Sequence, residues 1–269
     1  MGKIRLDKYY TPKDVALELI NITKEVIPWE QVTDIIEPSA GDGAFSTQLD
    51  CTAYDIEPEH PSIIKADFLK EDIPYKKGRL CIGNPPFGAT NSKSVSFFKK
   101  CSKIGDYVAF IQPITQLNNN LQMYDFDLIY SKDLGLVKYS DRKLHCCFNI
   151  YKRPDNGKLN KRQDYTLNDV EILEYRRFDA QRKENHKIRE GWDHAMCNWG
   201  DGCLGKVPDR IGQYACEVYF YVHNKKFLPK IKELLEFKTI RNFVNSMTSK
   251  RISKMRLYKY LRDNIEGIQ

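Results

Sequence analysis

Apolar and polar positions in the first half of the chain follow two rhythms, long amphipathic stretches and short continuous apolar runs. After Tyr10-Thr11-Pro12, KDVALELINITKEVI places Val15, Leu19, Ile22 and Val26 at helical spacing and predicts a helix. Thr11 suits its N-cap and Pro12 its first turn. Past a Pro28-Trp29 break, VTDIIE (32–37) is short and β-branched, the pattern of a buried parallel strand. PSAGDGAFSTQL predicts a turn into a short helix. CTAYDIEP predicts a second strand ending in Asp55, SIIKADF a third ending at Asp67, and RLCIGN a fourth. SVSFFKKCSK predicts a helix, DYVAFIQP a fifth strand, LQMYDFDLIY a helix, and LGLVKY with KLHCCFNIYKR two more strands. Strands alternating with helices imply an α/β fold with a doubly wound, mostly parallel sheet.

Beyond Pro154 the rhythm stops. PDNGKLNKRQDY is polar and turn-rich, which predicts a boundary between domains at 1–153 and 154–269. Residues 165–225 mix charges, aromatics and glycines without a period, whereas FLPKIKELLEFKTIRNF (227–243) predicts a helix and SMTSKRISKMRLYKYLRDN a basic helix or helix pair. Charge sharpens this division. Residues 1–151 hold 18 Lys and Arg against 20 Asp and Glu, while residues 152–269 hold 25 against 16. A neutral half joined to a basic one predicts chemistry in the first and a polyanionic partner for the second. A solvated lysine-rich surface is the plainer alternative.

Bulk composition narrows the class. Hydrophobic residues make up 41% and charged residues 29% of 269, which fits a globular protein with a substantial core. No run of roughly 18 apolar residues exists, excluding a membrane-spanning helix, and the start resembles neither a signal peptide nor a myristoylation site. Cys51, Cys81, Cys146 and Cys147 sit in apolar strand-like runs, as reduced thiols do, so the cytoplasm is the expected compartment. His186, His194, Cys197, Cys203 and Cys216 are irregularly spaced without a C-x-x-C pair, and no metal site is expected.

Chemistry concentrates at predicted strand ends. In GRLCIGNPPFGATNS two prolines stop a strand abruptly and present Asn84 and Phe87 at its edge. EPSAGDGAF (37–45) is a glycine loop without a P-loop lysine, and Glu37 before it points to a cationic or amine-bearing ligand. Asp55 can accept from both hydroxyls of a ribose, and Asp67-Phe68 can take an adenine amine and ring face; both acids can equally cap turns.

Tyr10-Thr11-Pro12, EPSAGDGAF, YDIEP, ADF and NPPF together resemble the S-adenosylmethionine-dependent amino-methyltransferases that make N6-methyladenine in DNA, in the gamma order. The resemblance covers about residues 8–152. It implies a Rossmann-like methyltransferase sheet, S-adenosyl-L-methionine as cofactor, double-stranded DNA as partner, and a smaller C-terminal α+β recognition domain. A separately encoded restriction endonuclease and a cytoplasmic or nucleoid-associated location would accompany it. By the same resemblance Tyr10, Thr11 and Pro12 flank the methionine moiety, Glu37, Ser39, Ala40 and Gly41 form the cofactor loop, Asp55 with Ile56 holds the ribose, and Asp67 with Phe68 the adenine. Asn84, Pro85, Pro86 and Phe87 form the catalytic motif, with Asn84 also beside the cofactor. Phe87 stands where many members have Tyr, and Asp55 where Glu is common.

An exocyclic aryl amine is a poor nucleophile because its lone pair is delocalised into the ring. The Asn84 side-chain oxygen and the Pro85 carbonyl, accepting both amine hydrogens, would localise that pair, with Phe87 as a stacking face. Phe148 is a candidate opposite wall and equally a candidate core residue. Lys250, Arg251, Lys254, Arg256 and Lys259 are the expected phosphate contacts, an exposed helix face being the alternative. Adenine in RNA, a glutamine side chain, cytosine N4, or nucleic-acid binding without catalysis remain alternatives to DNA adenine.

Overall fold

The computed structural model describes residues 10–88, 91–139, 143–178, 183–200, 202–240 and 251–269. The chain divides into two compact units, Met1–Gln163 and Asp164–Gln269. Residues 154–163 thus belong to the first unit, where Asn160 bonds the Asp125 carbonyl (2.9 Å) and the Asp127 side chain (2.8 Å).

The first unit is built on seven strands: β1 (Asp34–Glu37), β2 (Thr52–Asp55), β3 (Ile64–Lys65), β4 (Arg79–Gly83), β5 (Tyr107–Pro113), β6 (Asp127–Lys138) and β7 (Lys143–Lys152). Their order is β3-β2-β1-β4-β5-β7-β6. The first five run parallel, and β7 enters antiparallel between β5 and β6. This is a doubly wound, Rossmann-like α/β sheet. Every residue of β4 is buried, as a central parallel strand covered on both faces requires.

Alternation along the central strands feeds two cores. Leu80, Ile82, Tyr107, Ala109 and Ile111 pack with Ala16, Leu19 and Ile20 of helix α1 (Lys13–Val26) on one face. Cys81, Val108 and Phe110 pack with Phe98, Cys101 and Ile104 of α2 (Ser92–Ile104) on the other. The buried Arg79 guanidinium binds Asp34 and donates to the Ile104 carbonyl at 3.1 Å, tying α2 to the amino edge of the sheet.

Three local expectations change. Pro12, not Thr11, is the N-cap of α1, and no side chain caps it. Residues 41–48 form successive turns instead of a regular helix, with Thr47 N–H bonded to the Gly43 carbonyl at 3.0 Å. The helix expected over LQMYDFDLIY is absent: residues 121–126 are turns and bends that bury Met123 and Phe126, and the chain then enters the twelve-residue strand β6.

The second unit is α+β. Strands β8 (Val170–Arg176), β9 (His194–Cys197) and β10 (Cys216–Val222) form an antiparallel sheet in the order β8-β10-β9. Helix α3 (Leu228–Leu234) follows, and α4 (Lys254–Asn264) buries Leu257, Tyr258 and Leu261. The Ile172 N–H donates to the Tyr258 hydroxyl at 2.8 Å, which anchors α4 to β8.

Candidate active site

Strand order reverses between β1 and β4, and the crevice at such a switch point is where open α/β sheets bind ligands. Glu37 ends β1, Asp55 ends β2, and Asn84 follows β4 directly. Their carboxyl-terminal ends open onto a cavity of about 280 Å³.

The glycine loop forms its floor. Gly41 adopts φ +57°, and a Cβ there would stand 3.1 Å from the Tyr10 ring, so a side chain at this position would strain the turn and press on that ring. Asp55 holds the loop from below. Its two carboxylate oxygens accept the N–H groups of Gly41 (2.9 Å) and Glu57 (2.8 Å). Asp55 thus performs the turn-capping role and still faces the cavity. Asp67 likewise accepts from Leu69 N–H at 3.2 Å and pairs with Lys70 at 3.1 Å.

Glu37 is 1% exposed, and its carboxylate accepts the Ser46 N–H at 2.8 Å. Burial outweighs that hydrogen bond and pushes its pKa up to about 7. Asp42, raised by the same cause, leaves Oδ1 buried without a hydrogen-bond partner. Acids dominate the wall: Glu37, Asp42, Asp55 and Asp67 face one base, Lys93, among the described lining residues.

The motif strand meets this wall at Asn84. Its amide Nδ2 donates to Thr11 Oγ1 at 3.2 Å, which explains why Thr11 does not cap α1. Ser39 Oγ donates weakly to the Asn84 carbonyl at 3.4 Å. Gly88 closes the motif at φ +68°, where a Cβ would stand 2.7 Å from Lys93 Cγ. Phe87's carbonyl takes the Lys93 N–H at 3.2 Å as α2 begins.

Of the residues singled out from sequence, Tyr10, Thr11, Glu37, Ser39, Ala40, Gly41, Asp55, Ile56, Asp67, Phe68, Asn84 and Pro86 all line this one cavity. Pro12 does not; it serves α1. Pro85 is buried, and half-buried Phe87 packs against the core face that carries α1. Phe68 is only 2% exposed and stacks on Phe97, ring centroids 5.9 Å apart, so Phe97 shares the wall that sequence assigned to Phe68 alone. Phe148 is fully buried within the core and lines no described cavity. Asp42, Lys93 and Phe97 were missed; Asp42 lay inside a quoted motif, whereas Lys93 and Phe97 carry no signal beyond helical spacing.

The basic residues of the second unit do not form one free face. Arg256 is 9% exposed, and burial pushes its guanidinium pKa down. Arg251 pairs with buried Glu174 at 2.7 Å. Lys259 binds Asp263 and lies over the Tyr165 ring. Lys254 opens α4, half-buried, and Lys250 lies outside the described residues.

No known family profile and no curated protein matches the chain. Solved structures resemble part of the chain at low identity and low TM-score. One, from Pyrococcus horikoshii and provisionally assigned as an RNA methyltransferase, is 14% identical with a TM-score of 0.44, covering 57% of this chain and 90% of its own. The 23S rRNA methyltransferase ErmE is 16% identical with a TM-score of 0.41, covering 57% and 72%. Magnesium protoporphyrin IX methyltransferase from Synechocystis, solved with bound S-adenosylmethionine, is 11% identical with a TM-score of 0.37, covering 52% and 79%. Identities and scores this low leave the chemistry of the site to its own geometry.

Proposed function

We propose that this chain is an S-adenosylmethionine-dependent methyltransferase acting on the N6 amine of adenine in DNA. The observation that carries the reading is the junction at Asn84, where the Asn-Pro-Pro-Phe turn after β4 adjoins the acid-rich cavity at the ends of β1 and β2.

The residues present fit that cofactor. S-adenosylmethionine supplies an electrophilic methyl on a sulfonium, and it carries an ammonium group as well. Glu37, raised by burial, and Asp42, whose Oδ1 is buried without a hydrogen-bond partner, both gain from a cationic ligand. Asp55, already oriented by Gly41 and Glu57, keeps lone pairs for ribose hydroxyls. Phe97 and Leu69 supply apolar wall for a base.

On the substrate side, Asn84 Oδ1 and the Pro85 carbonyl accept the two amine hydrogens, favouring a pyramidal nitrogen whose lone pair points outward. Phe87 offers a stacking face worth roughly 1–3 kcal/mol. No strong base is needed before attack, because the proton leaves after the nitrogen has become cationic. An adenine must leave its stack to reach Asn84, at a cost of a few kcal/mol.

The test is transfer of a labelled methyl group from S-adenosylmethionine to duplex DNA, structured RNA and protein in parallel. N6-methyladenine in DNA supports the proposal, and label confined to RNA or to glutamine overturns the substrate assignment. Asn84→Ala is expected to lower the rate about 100-fold or more; retained activity would sink the mechanism.

A further inference from the structure

The second unit contains a larger cavity, about 680 Å³, within the range of small-molecule sites (roughly 300–1,000 Å³). Edge strand β9, the 205–207 segment and the end of α3 surround it. Three aromatic side chains line it, Trp192, Tyr214 and Phe237, together with two lysines, Lys206 and Lys232.

The aromatics are held in place. Trp192 packs edge-on against Tyr219, centroids 5.0 Å apart. The fully buried Glu217 carboxylate accepts the Gly212 N–H at 2.8 Å and the Tyr214 N–H, fixing the loop that carries Tyr214. Phe237 remains 41% exposed.

A further group asks for a ligand. His194 is part of the wall, and its Nε2 is buried without a hydrogen-bond partner. Burial and the Lys232 charge push its pKa down to about 4, so the ring is neutral at pH 7 and offers hydrogen bonding without charge. Of the two acids at the wall, Asp193 is already neutralised by Lys225, which leaves Glu236 against two lysines. One net positive charge matches one phosphodiester.

We propose that this cavity receives a single unstacked nucleotide of a nucleic-acid strand, its base against Trp192, Tyr214 and Phe237 and its phosphate on Lys206 and Lys232. Neutral His194 then hydrogen-bonds the base edge. The inference rests on the nucleic-acid reading above, but concerns a site apart from Asn84. Stacking on aromatic faces is tolerant of base identity, whereas a hydrogen bond from a buried imidazole selects among base edges. The cavity thereby gains a means of sequence or damage recognition.

Fluorescence anisotropy tests this with the full chain and a fluorescein-labelled DNA duplex carrying one bulged nucleotide, beside the same duplex fully paired. The bulged duplex is expected to bind about fivefold or more tightly, the lower end of one stacked base. Asn84→Ala should keep that preference, and both Phe237→Ala and the exposed pair Lys206→Ala with Lys232→Ala should lose it. Unchanged urea unfolding midpoints and unchanged S-adenosylmethionine binding verify that those variants are folded. No preference in the native chain, or one that survives in both variants, overturns the proposal; so does tight binding of free adenosine monophosphate without any preference among duplexes. Absence of methyl transfer with the bulge preference intact would instead condemn the enzymatic reading and leave this site standing.

Discussion

Burial holds the Glu37 carboxyl near neutrality, with a folded pKa of about 7 against 4.5 for the free side chain. A carboxyl raised on folding contributes stability that is complete below about 4.5 and is lost as pH rises to about 7. Glu37→Gln should therefore flatten part of the decline in thermal midpoint across that window, read by scanning calorimetry. Cofactor affinity has the opposite slope. Binding a cation requires the carboxylate, so affinity should fall about tenfold per pH unit below 7 and level off above it. Isothermal calorimetry across that range checks this, and Glu37→Gln should bind weakly with little pH dependence. Sequence showed Glu37 and its place before the loop, but not this behaviour. The shift comes from burial, which depends on what the rest of the chain packs around the residue. Asp42 makes the same point: it lay in plain view between two glycines, and its unpartnered oxygen became visible only once the loop was folded.

Among elements, the strands that end in motifs were the legible ones, because β1, β2 and β4 are short apolar runs stopped by Pro, Asp or Gly. The segment before β6 was not. LQMYDFDLIY places Met123 and Phe126 three apart, as a helix would, yet both are fully buried in turns before an outer strand that is half exposed. In the second unit, Glu174 on β8 and Glu217 on β10 are buried carboxylates at positions where strand patterns are read as apolar. Register also settles Phe148, which lies opposite Ile111 in the β5–β7 ladder and points into the core. Phe148→Ala should cost about 3–5 kcal/mol in urea unfolding, the range for a large core cavity. Phe87→Ala, from a half-buried turn, should instead raise KM for nucleic acid with a smaller loss of stability. Gly41→Ala forces a left-handed backbone and meets the Tyr10 ring, so it should weaken cofactor binding sharply at a stability cost of about 1–3 kcal/mol; calorimetry and thermal melts separate the two effects.

For the molecule as a whole, the charge division drawn from sequence survives as a total, but two of the arginines counted in it are drawn into packing and pairing. Arg251 and Arg256 spend their charge inside the second unit, on Glu174 and in the packing of α4. Arg256→Met should change stability and leave the dependence of DNA affinity on salt where it was. Lys254→Ala, as a phosphate contact, should reduce the slope of log affinity against log salt by about 1; filter binding over a salt series measures both slopes. A count of lysines and arginines could not separate these cases, because pairing with a distant carboxylate leaves no mark in linear sequence. The ladder of β1 and β4 carries a different kind of consequence. Glu37 ends β1 and Asn84 directly follows the adjacent strand β4, and the roughly 4.8 Å separation of paired strands is a property of the hydrogen-bonded backbone itself. The ladder thus sets how far apart the Glu37 and Asn84 backbones stand, whatever their side chains. Loops and surface charge can therefore change without altering that spacing.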